Sequence, residues 1–316
     1  MEVGPSTVVW QPPQCSLPAV EVLQSRAGLL NGLLSARGVN NIVRSGRSGQ
    51  RLFVLFPGNP GIVQFYEKFA ALLATAGVDV LVMGYAGHSA VDLNDGRVFG
   101  LQDQLDTAEM LLSEILTDKV VEQYRGRVSI GGHSIGAFVA LHMAARFSCV
   151  QRCIFLCGVV SRIMESPNGQ KMFFVGGSEI VYQLVTCCIV YLVHLMPSCV
   201  LLYLLRWQAP TAPHSLVQLF VKHRNINVLY NCFNMARHEF QRLRNPDKSL
   251  LKSVGSRIVF YCVPHDGWAP LQHVHEAREA CGCEADIVVE LDESVPHAWC
   301  LEHSEVVVRK GVLPFI

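Results

Sequence analysis

The sequence predicts an α/β fold, with a mostly parallel central sheet flanked by helices and an inserted hydrophobic helical cap. Three observations predict it. Short apolar runs of strand length alternate with stretches of helical spacing, the pattern of βαβ units. The strand-like runs break into Gly- or Pro-bearing turns, as buried parallel strands do where they leave a sheet. The alternation is interrupted once, by a long segment whose centre, 180–205, contains no Asp, Glu, Lys or Arg.

Taken in order, residues 1–50 read as an irregular N-terminal segment, with Pro12-Pro13 and a Ser/Gly/Arg stretch at 45–49. Within it, 20–34 stays open between a strand and a helix. Leu52-Phe53-Val54-Leu55-Phe56 is a continuous apolar run ended by Pro57-Gly58-Asn59-Pro60-Gly61, so it reads as a buried strand entering a sharp turn. Residues 65–76 have helical spacing, and 78–83 form the next strand. Over 101–116, Leu105, Ala108, Leu112 and Ile115 share one stripe and predict an amphipathic helix. A strand at 127–130, a helix from Ser134 and a strand at 153–157 repeat the order. After the interruption it resumes with a strand at 257–262, a helix near 270–281 and a strand at 286–291. The predicted organisation is therefore the N-terminal segment, a first core part at 51–160, a hydrophobic helical insertion at 161–250 and a second core part at 251–316.

Composition narrows the function classes. The 26 Lys and Arg balance the 26 Asp and Glu among 316 residues, so no basic field exists of the kind nucleic acid needs. Only 16% of residues are charged, against an average near 25%. The deficit predicts contact with an apolar environment. The first residues lack a basic stretch followed by an apolar one, which predicts retention inside the cell. The twelve cysteines are scattered through apparent core strands and the apolar segment, which predicts reduced, buried thiols. Cys281 and Cys283 alone cannot complete a four-ligand site, so neither a metal nor a cofactor is expected.

The chemistry is carried by Gly132-His133-Ser134-Ile135-Gly136, which follows an apolar strand and opens the apolar stretch 137–144. By chance this glycine–serine pattern arises in roughly one chain of this length in ten. Its strand–turn–helix context makes it a nucleophile elbow, which lifts a serine hydroxyl clear of the sheet edge. Serine is a weak nucleophile at its free pKa and needs an imidazole base, which in turn needs an acid to hold its tautomer. In an α/β-hydrolase these follow in the order serine, acid, histidine. Asp266 lies just beyond the strand at 257–262, and His297 just beyond the last strand. Asp292 and His303 are the rivals, while His133 and His265 read as tuning packing or access. Any one Asp or His is by default a solvated or satisfied group, but three at three strand ends favour a site. An oxyanion hole needs two backbone donors. Ile135, after the serine, supplies one, and Asn59 is preferred for the other, with Gly58 behind it, since Pro57 and Pro60 carry no N–H.

For 180–205 three readings compete: a buried cap helix, a transmembrane span, or an element lying in a lipid surface. Gln183, His194, Pro197 and Ser198 interrupt the run and weigh against a span. So does the return of both its ends to one sheet.

With these residues in view, the chain resembles the lipid-droplet-associated hydrolase family, a branch of the α/β-hydrolases, over roughly residues 52–303. The likeness rests on Phe56-Pro57-Gly58-Asn59-Pro60-Gly61 followed by Phe65-Tyr66, on Ala86-Gly87-His88, on the elbow, on Glu165-Ser166-Pro167-Asn168-Gly169 and on Val295-Pro296-His297-Ala298. The family's triad maps onto Ser134, Asp266 and His297. The resemblance implies a serine hydrolase on lipid droplets and the endoplasmic reticulum, facing the cytosol. It would be anchored to the lipid surface through a hydrophobic region, here 180–205, and would act on neutral-lipid esters, cholesteryl ester or acylglycerol. The alternative is a droplet-surface protein on a hydrolase scaffold with weak or no turnover.

Overall fold

The computed structural model describes residues 39, 41–46, 50–89, 96–208, 210, 212–282 and 285–316. Seven strands form one sheet in the order β1-β3-β2-β4-β5-β6-β7. They are β1 Asn41–Arg44, β2 Leu52–Phe56, β3 Asp79–Met83, β4 Val128–His133, β5 Val150–Leu156, β6 Ile258–Cys262 and β7 Asp286–Val289. All neighbours are parallel except β1 and β3. The longer helices are α1 Glu67–Thr75, α2 Leu101–Ile115, α3 Gly136–Arg146, α4 Glu179–Leu195, α5 Ser198–Gln208, α6 His214–Lys222, α7 Ile226–Arg242, α8 Lys248–Val254 and α9 Leu271–Ala280.

Strand alternation builds two cores, because successive side chains point to opposite faces. Val54, Phe56, Ile130, Phe155 and Phe260 pack beneath α2 and α3, while Phe53, Leu55, Val80, Val82 and Ile154 pack beneath α1 and the C-terminal segment. The helical stripe of Leu105, Ala108, Leu112 and Ile115 is buried. Chain order places the site: β2 has β3 on one side and β4 on the other. The connections leaving β2 and β4 therefore diverge at the carboxyl edge, where open α/β sheets bind ligands.

Several boundaries differ from the sequence reading. The supposedly irregular 1–50 contains β1, an edge strand whose partner β3 lies about 40 residues away; residues 1–38, including 20–34, lie outside the described residues. Strand β4 runs past Ile130 through Gly131 and Gly132 to His133, because β2 and β5 supply ladder partners that far. Helix α3 accordingly starts at Gly136 rather than Ser134. Strand β5 begins earlier, at Val150, and β7 ends earlier, at Val289.

Helices α4 to α8 fall between β5 and β6. The charge-free run is split between α4 and α5, which meet at 112° across Met196 and Pro197. Proline cannot continue the ladder of the preceding helix. At about 1.5 Å per residue, α4 alone spans roughly 26 Å, and among the described residues no single helix is long and apolar enough to cross a membrane. Tyr182, Thr186 and Val190, four apart, form the buried stripe of α4. The opposite side leaves Ile180, Leu184, Leu192 and Leu195 more than 60% exposed, and Tyr203 and Trp207 of α5 more than 70%. Helix α7 holds α4 in place: the Arg237 guanidinium donates to Glu179 at 2.8 Å and to the Val175 carbonyl at 2.7 Å, and lies 4.4 Å over the Tyr182 ring.

Candidate active site

Ser134 occupies the turn between β4 and α3 with φ of 53°, a left-handed conformation costly for a non-glycine residue. Its neighbours hold it there. The Ser134 carbonyl accepts from Ala137 N–H at 3.0 Å and Val159 N–H at 2.9 Å, and its own N–H donates to the Leu156 carbonyl. The flanking glycines are required by close approach. A Cβ on Gly132 would stand 2.0 Å from the Gly136 carbonyl oxygen, and one on Gly136 would stand 2.2 Å from that of Phe56. Replacing Gly132 with alanine is expected to cost about 3 kcal/mol or more in stability, read by urea unfolding. A cost under about 1 kcal/mol would mean that the turn relaxes freely.

Asp266 and His297, 31 residues apart, come together: the imidazole Nδ1 and the carboxylate Oδ2 are 2.7 Å apart. The other carboxylate oxygen, Oδ1, accepts the backbone N–H groups of Trp268 and Ala269 at 2.8 and 2.9 Å. Burial by itself would raise this carboxyl. The facing His297 and the two N–H donors outweigh burial and hold it below the usual carboxylate range. An ionised acid fixes Nδ1 as the protonated nitrogen and leaves Nε2 as the basic one. No hydrogen bond joins the Ser134 hydroxyl to His297 among the described residues; such contacts commonly close only around substrate. The elbow and the base loop do meet, since the His133 and His297 rings lie 5.1 Å apart.

The loop after β2 closes the other side. Gly58 sits against Ser134, so that a Cβ there would be 3.0 Å from the Cβ of the serine. Its N–H donates to the Tyr66 hydroxyl at 2.8 Å, whereas neither the Asn59 nor the Ile135 backbone N–H meets an acceptor among the described residues. The Asn59 side chain donates to the Cys232 carbonyl of α7 at 2.8 Å, tying the loop to the inserted helices. Close by, burial pushes the Glu239 carboxyl up to about 8.

The rival residues fall elsewhere. Asp292 is exposed and bonded to Ser294, and His265 is exposed opposite Glu293. His303 immediately precedes the closing helix Ser304–Val307. The Glu165-Ser166-Pro167-Asn168-Gly169 stretch braces the acid loop. Ser166 caps a short helix by accepting from Gly169 N–H, which leaves Asn168 N–H donating to the Gly267 carbonyl at 2.9 Å.

Two participants escaped the sequence reading. In the sequence Tyr66 stands out only as part of the Phe65-Tyr66 motif. Cys157, at the end of β5, places its sulfur within 4.8 Å of ligand atoms of both Asp266 and His297. Such a trio could offer ligands to a metal. Burial and the neighbouring carboxylate hold the Cys157 thiol well above its usual range, however, while metal binding needs a thiolate. A protonated thiol beside an already bonded carboxylate fits support of the acid–base pair better.

Residues 49–300 match the model of the family described as lipid-droplet associated hydrolase. Among curated relatives, the lipid droplet-associated hydrolase of Gallus gallus is 25% identical over 246 residues, covering 72% of this chain and 73% of that protein. That of Drosophila melanogaster is 24% identical, covering 82% and 88%. Among solved structures, the enol-lactonase from Burkholderia xenovorans LB400 superposes with a TM-score of 0.56 at 15% identity, covering 86% of this chain and 94% of its own. The meta-cleavage product hydrolase CumD does so with a TM-score of 0.59 at 13% identity, covering 86% and 92%. The fold is the α/β-hydrolase fold.

Proposed function

Because this chain belongs to the lipid-droplet-associated hydrolase family, we propose that it is a serine esterase acting on carboxylic esters of neutral lipids, cholesteryl ester or acylglycerol. The observation that carries the chemistry is the Asp266–His297 pair, 2.7 Å apart with its carboxylate buried, together with a serine strained onto an elbow next to His133, whose ring lies 5.1 Å from that of His297. In the proposed reaction His297 Nε2 takes the Ser134 hydroxyl proton as the oxygen attacks the ester carbonyl. Asp266 stabilises the imidazolium that forms. The Asn59 and Ile135 N–H groups receive the developing oxyanion. The imidazolium then protonates the leaving alcohol, and water, activated by the same imidazole, releases the acid from the acyl-enzyme.

The proposed site of action is supported by α4 and α5. Their outward residues form an apolar face that water penalises and a lipid monolayer accommodates, with Tyr203 and Trp207 suited to the interface. The bend makes the pair suited to lying on a surface, and the proposed location is the cytosolic face of lipid droplets and endoplasmic reticulum. Purified protein should hydrolyse emulsified cholesteryl oleate or triolein in preference to short soluble esters. Equal or better turnover of short esters would remove the neutral-lipid assignment. Introducing glutamate at Leu184, Leu192 and Trp207 together should weaken binding to phospholipid-coated triolein more than about 100-fold, since each side chain buries about 1.5 kcal/mol or more. Flotation assays read this, and binding at the wild-type level would place the lipid contact elsewhere.

The same exposed face supports a second reading, a droplet-surface protein with weak or no turnover. Lipid turnover unaffected by Ser134→Ala but abolished by the three glutamates would favour it.

A further inference from the structure

We propose that Tyr66 and His133 are positioning residues that lock the oxyanion loop and the base-bearing loop together around Ser134, through one directed chain of hydrogen bonds. The inference rests on the catalytic roles proposed above for Ser134, Asp266 and His297.

The chain has three links. Gly58 N–H donates to the Tyr66 hydroxyl at 2.8 Å, Tyr66 Oη lies 2.6 Å from His133 Nδ1, and His133 Nε2 lies 2.8 Å from the His297 carbonyl oxygen. Elementary valence assigns the protons. A peptide carbonyl only accepts, so His133 Nε2 must carry hydrogen. A neutral imidazole then has its lone pair on Nδ1, so Tyr66 must donate there. The tyrosine oxygen, its proton committed, accepts from Gly58. Each link dictates the direction of the next.

The surroundings preserve this arrangement. Burial, followed by the facing His297, pushes His133 down to about 3, so it stays neutral; burial likewise keeps Tyr66 protonated. Trp299 wedges both rings, with centroids 5.8 Å from Tyr66 and 5.1 Å from His133.

The consequences for catalysis are geometric. His297 sits on a stretch without regular structure, and its ring alone could swing about the bond to Asp266. With its peptide carbonyl held by His133 and its Nδ1 by Asp266, the direction of Nε2 is set. On the other side, Tyr66 takes up the Gly58 N–H, which leaves Asn59 as the loop's donor to an oxyanion. Three loops from three different strands thus acquire a common reference through the residue preceding the nucleophile. Sub-ångström placement of this kind is worth up to about 100-fold in rate.

Three variants separate the links. Tyr66→Phe keeps the ring and removes only the hydroxyl. His133→Gln places an amide donor near the Nε2 position but withdraws the acceptor from Tyr66. His133→Asn does the reverse. Measured on a soluble p-nitrophenyl ester, Tyr66→Phe should lower kcat about 10- to 100-fold with KM within about twofold. Its rate of labelling by a fluorophosphonate should fall in parallel. Tyr66→Phe combined with His133→Gln should be no worse than Tyr66→Phe alone, because loss of the hydroxyl already breaks the Tyr66–His133 link that His133→Gln breaks, whereas Tyr66→Phe with His133→Asn should multiply. Additivity in the first pair, or a loss confined to KM, would overturn the proposal. Imidazole ¹⁵N shifts of the wild type give a measurement independent of any variant's folding. They should report the Nε2–H tautomer of His133 from pH 5 to 9, and the opposite tautomer would overturn the chain. A wild type that takes no label at all would defeat the catalytic reading itself. Normal labelling by Tyr66→Phe would defeat only the positioning role.

Discussion

Ser134→Ala should abolish fluorophosphonate labelling and lower ester hydrolysis by about 10⁴-fold or more, while leaving the protein as stable as the wild type. The chemical loss is complete because no other hydroxyl lies on the elbow. Stability is spared because the backbone carries the local structure: the Ser134 carbonyl holds Ala137 and Val159, its N–H holds Leu156, and alanine retains the Cβ against Gly58. Competitive activity-based labelling with a thermal melt on the same sample checks both statements. Undiminished labelling would transfer the nucleophile elsewhere, and a large fall in melting temperature would make the activity loss uninformative.

Asp266→Asn should be nearly as damaging, with a loss of about 10⁴-fold in kcat, for a reason written in the acid's hydrogen bonds. Oδ1 receives two N–H groups, from Trp268 and Ala269, whereas Oδ2 faces His297 Nδ1. An asparagine must turn its carbonyl oxygen toward the two N–H donors and so presents its NH₂ to the imidazole. His297 then accepts at Nδ1, its proton moves to Nε2, and no lone pair remains to take the proton of Ser134. The shape is unchanged but the tautomer is inverted. The expected signature is a variant that folds normally, has a near-normal KM and loses kcat, with imidazole ¹⁵N shifts reporting hydrogen on Nε2. A variant retaining a tenth or more of the activity would show that Asp266 does not orient the base.

The legibility of this site divides along sequence distance. The elbow reads directly, because Gly132, Ser134 and Gly136 lie within five residues and the close approaches that demand glycine are set by that local turn. Asp266 and His297 were reachable by a weaker argument, their places after the last strands in an ordered series. Their 2.7 Å contact could not be read from spacing. Cys157 gave no signal and Tyr66 only its place in a motif, since an aromatic after a turn and a cysteine ending a strand are ordinary core residues until the sheet brings them beside the loops of Gly58, Asp266 and His297. Strand β1 was missed for a similar reason: Asn41-Ile42-Val43-Arg44 is half-buried and short, and only its antiparallel ladder with β3 makes it a strand.

The amino-acid order on its own determined the alternation of strands and helices, the strained serine turn and the abundance of apolar residues at 180–205. Each of these is a local property of periodicity, glycine placement or missing charge. Pro197 already marks an interruption of this run in the sequence, but tertiary structure alone decided which face of the resulting helices points outward, because burial of Tyr182, Thr186 and Val190 depends on what α7 offers them. It alone also decided which polar atoms are gathered around Ser134. Hydrogen bonds such as those of His133 to Tyr66 and to His297 join residues 67 and 164 positions apart, and only closure of the sheet brings them within reach.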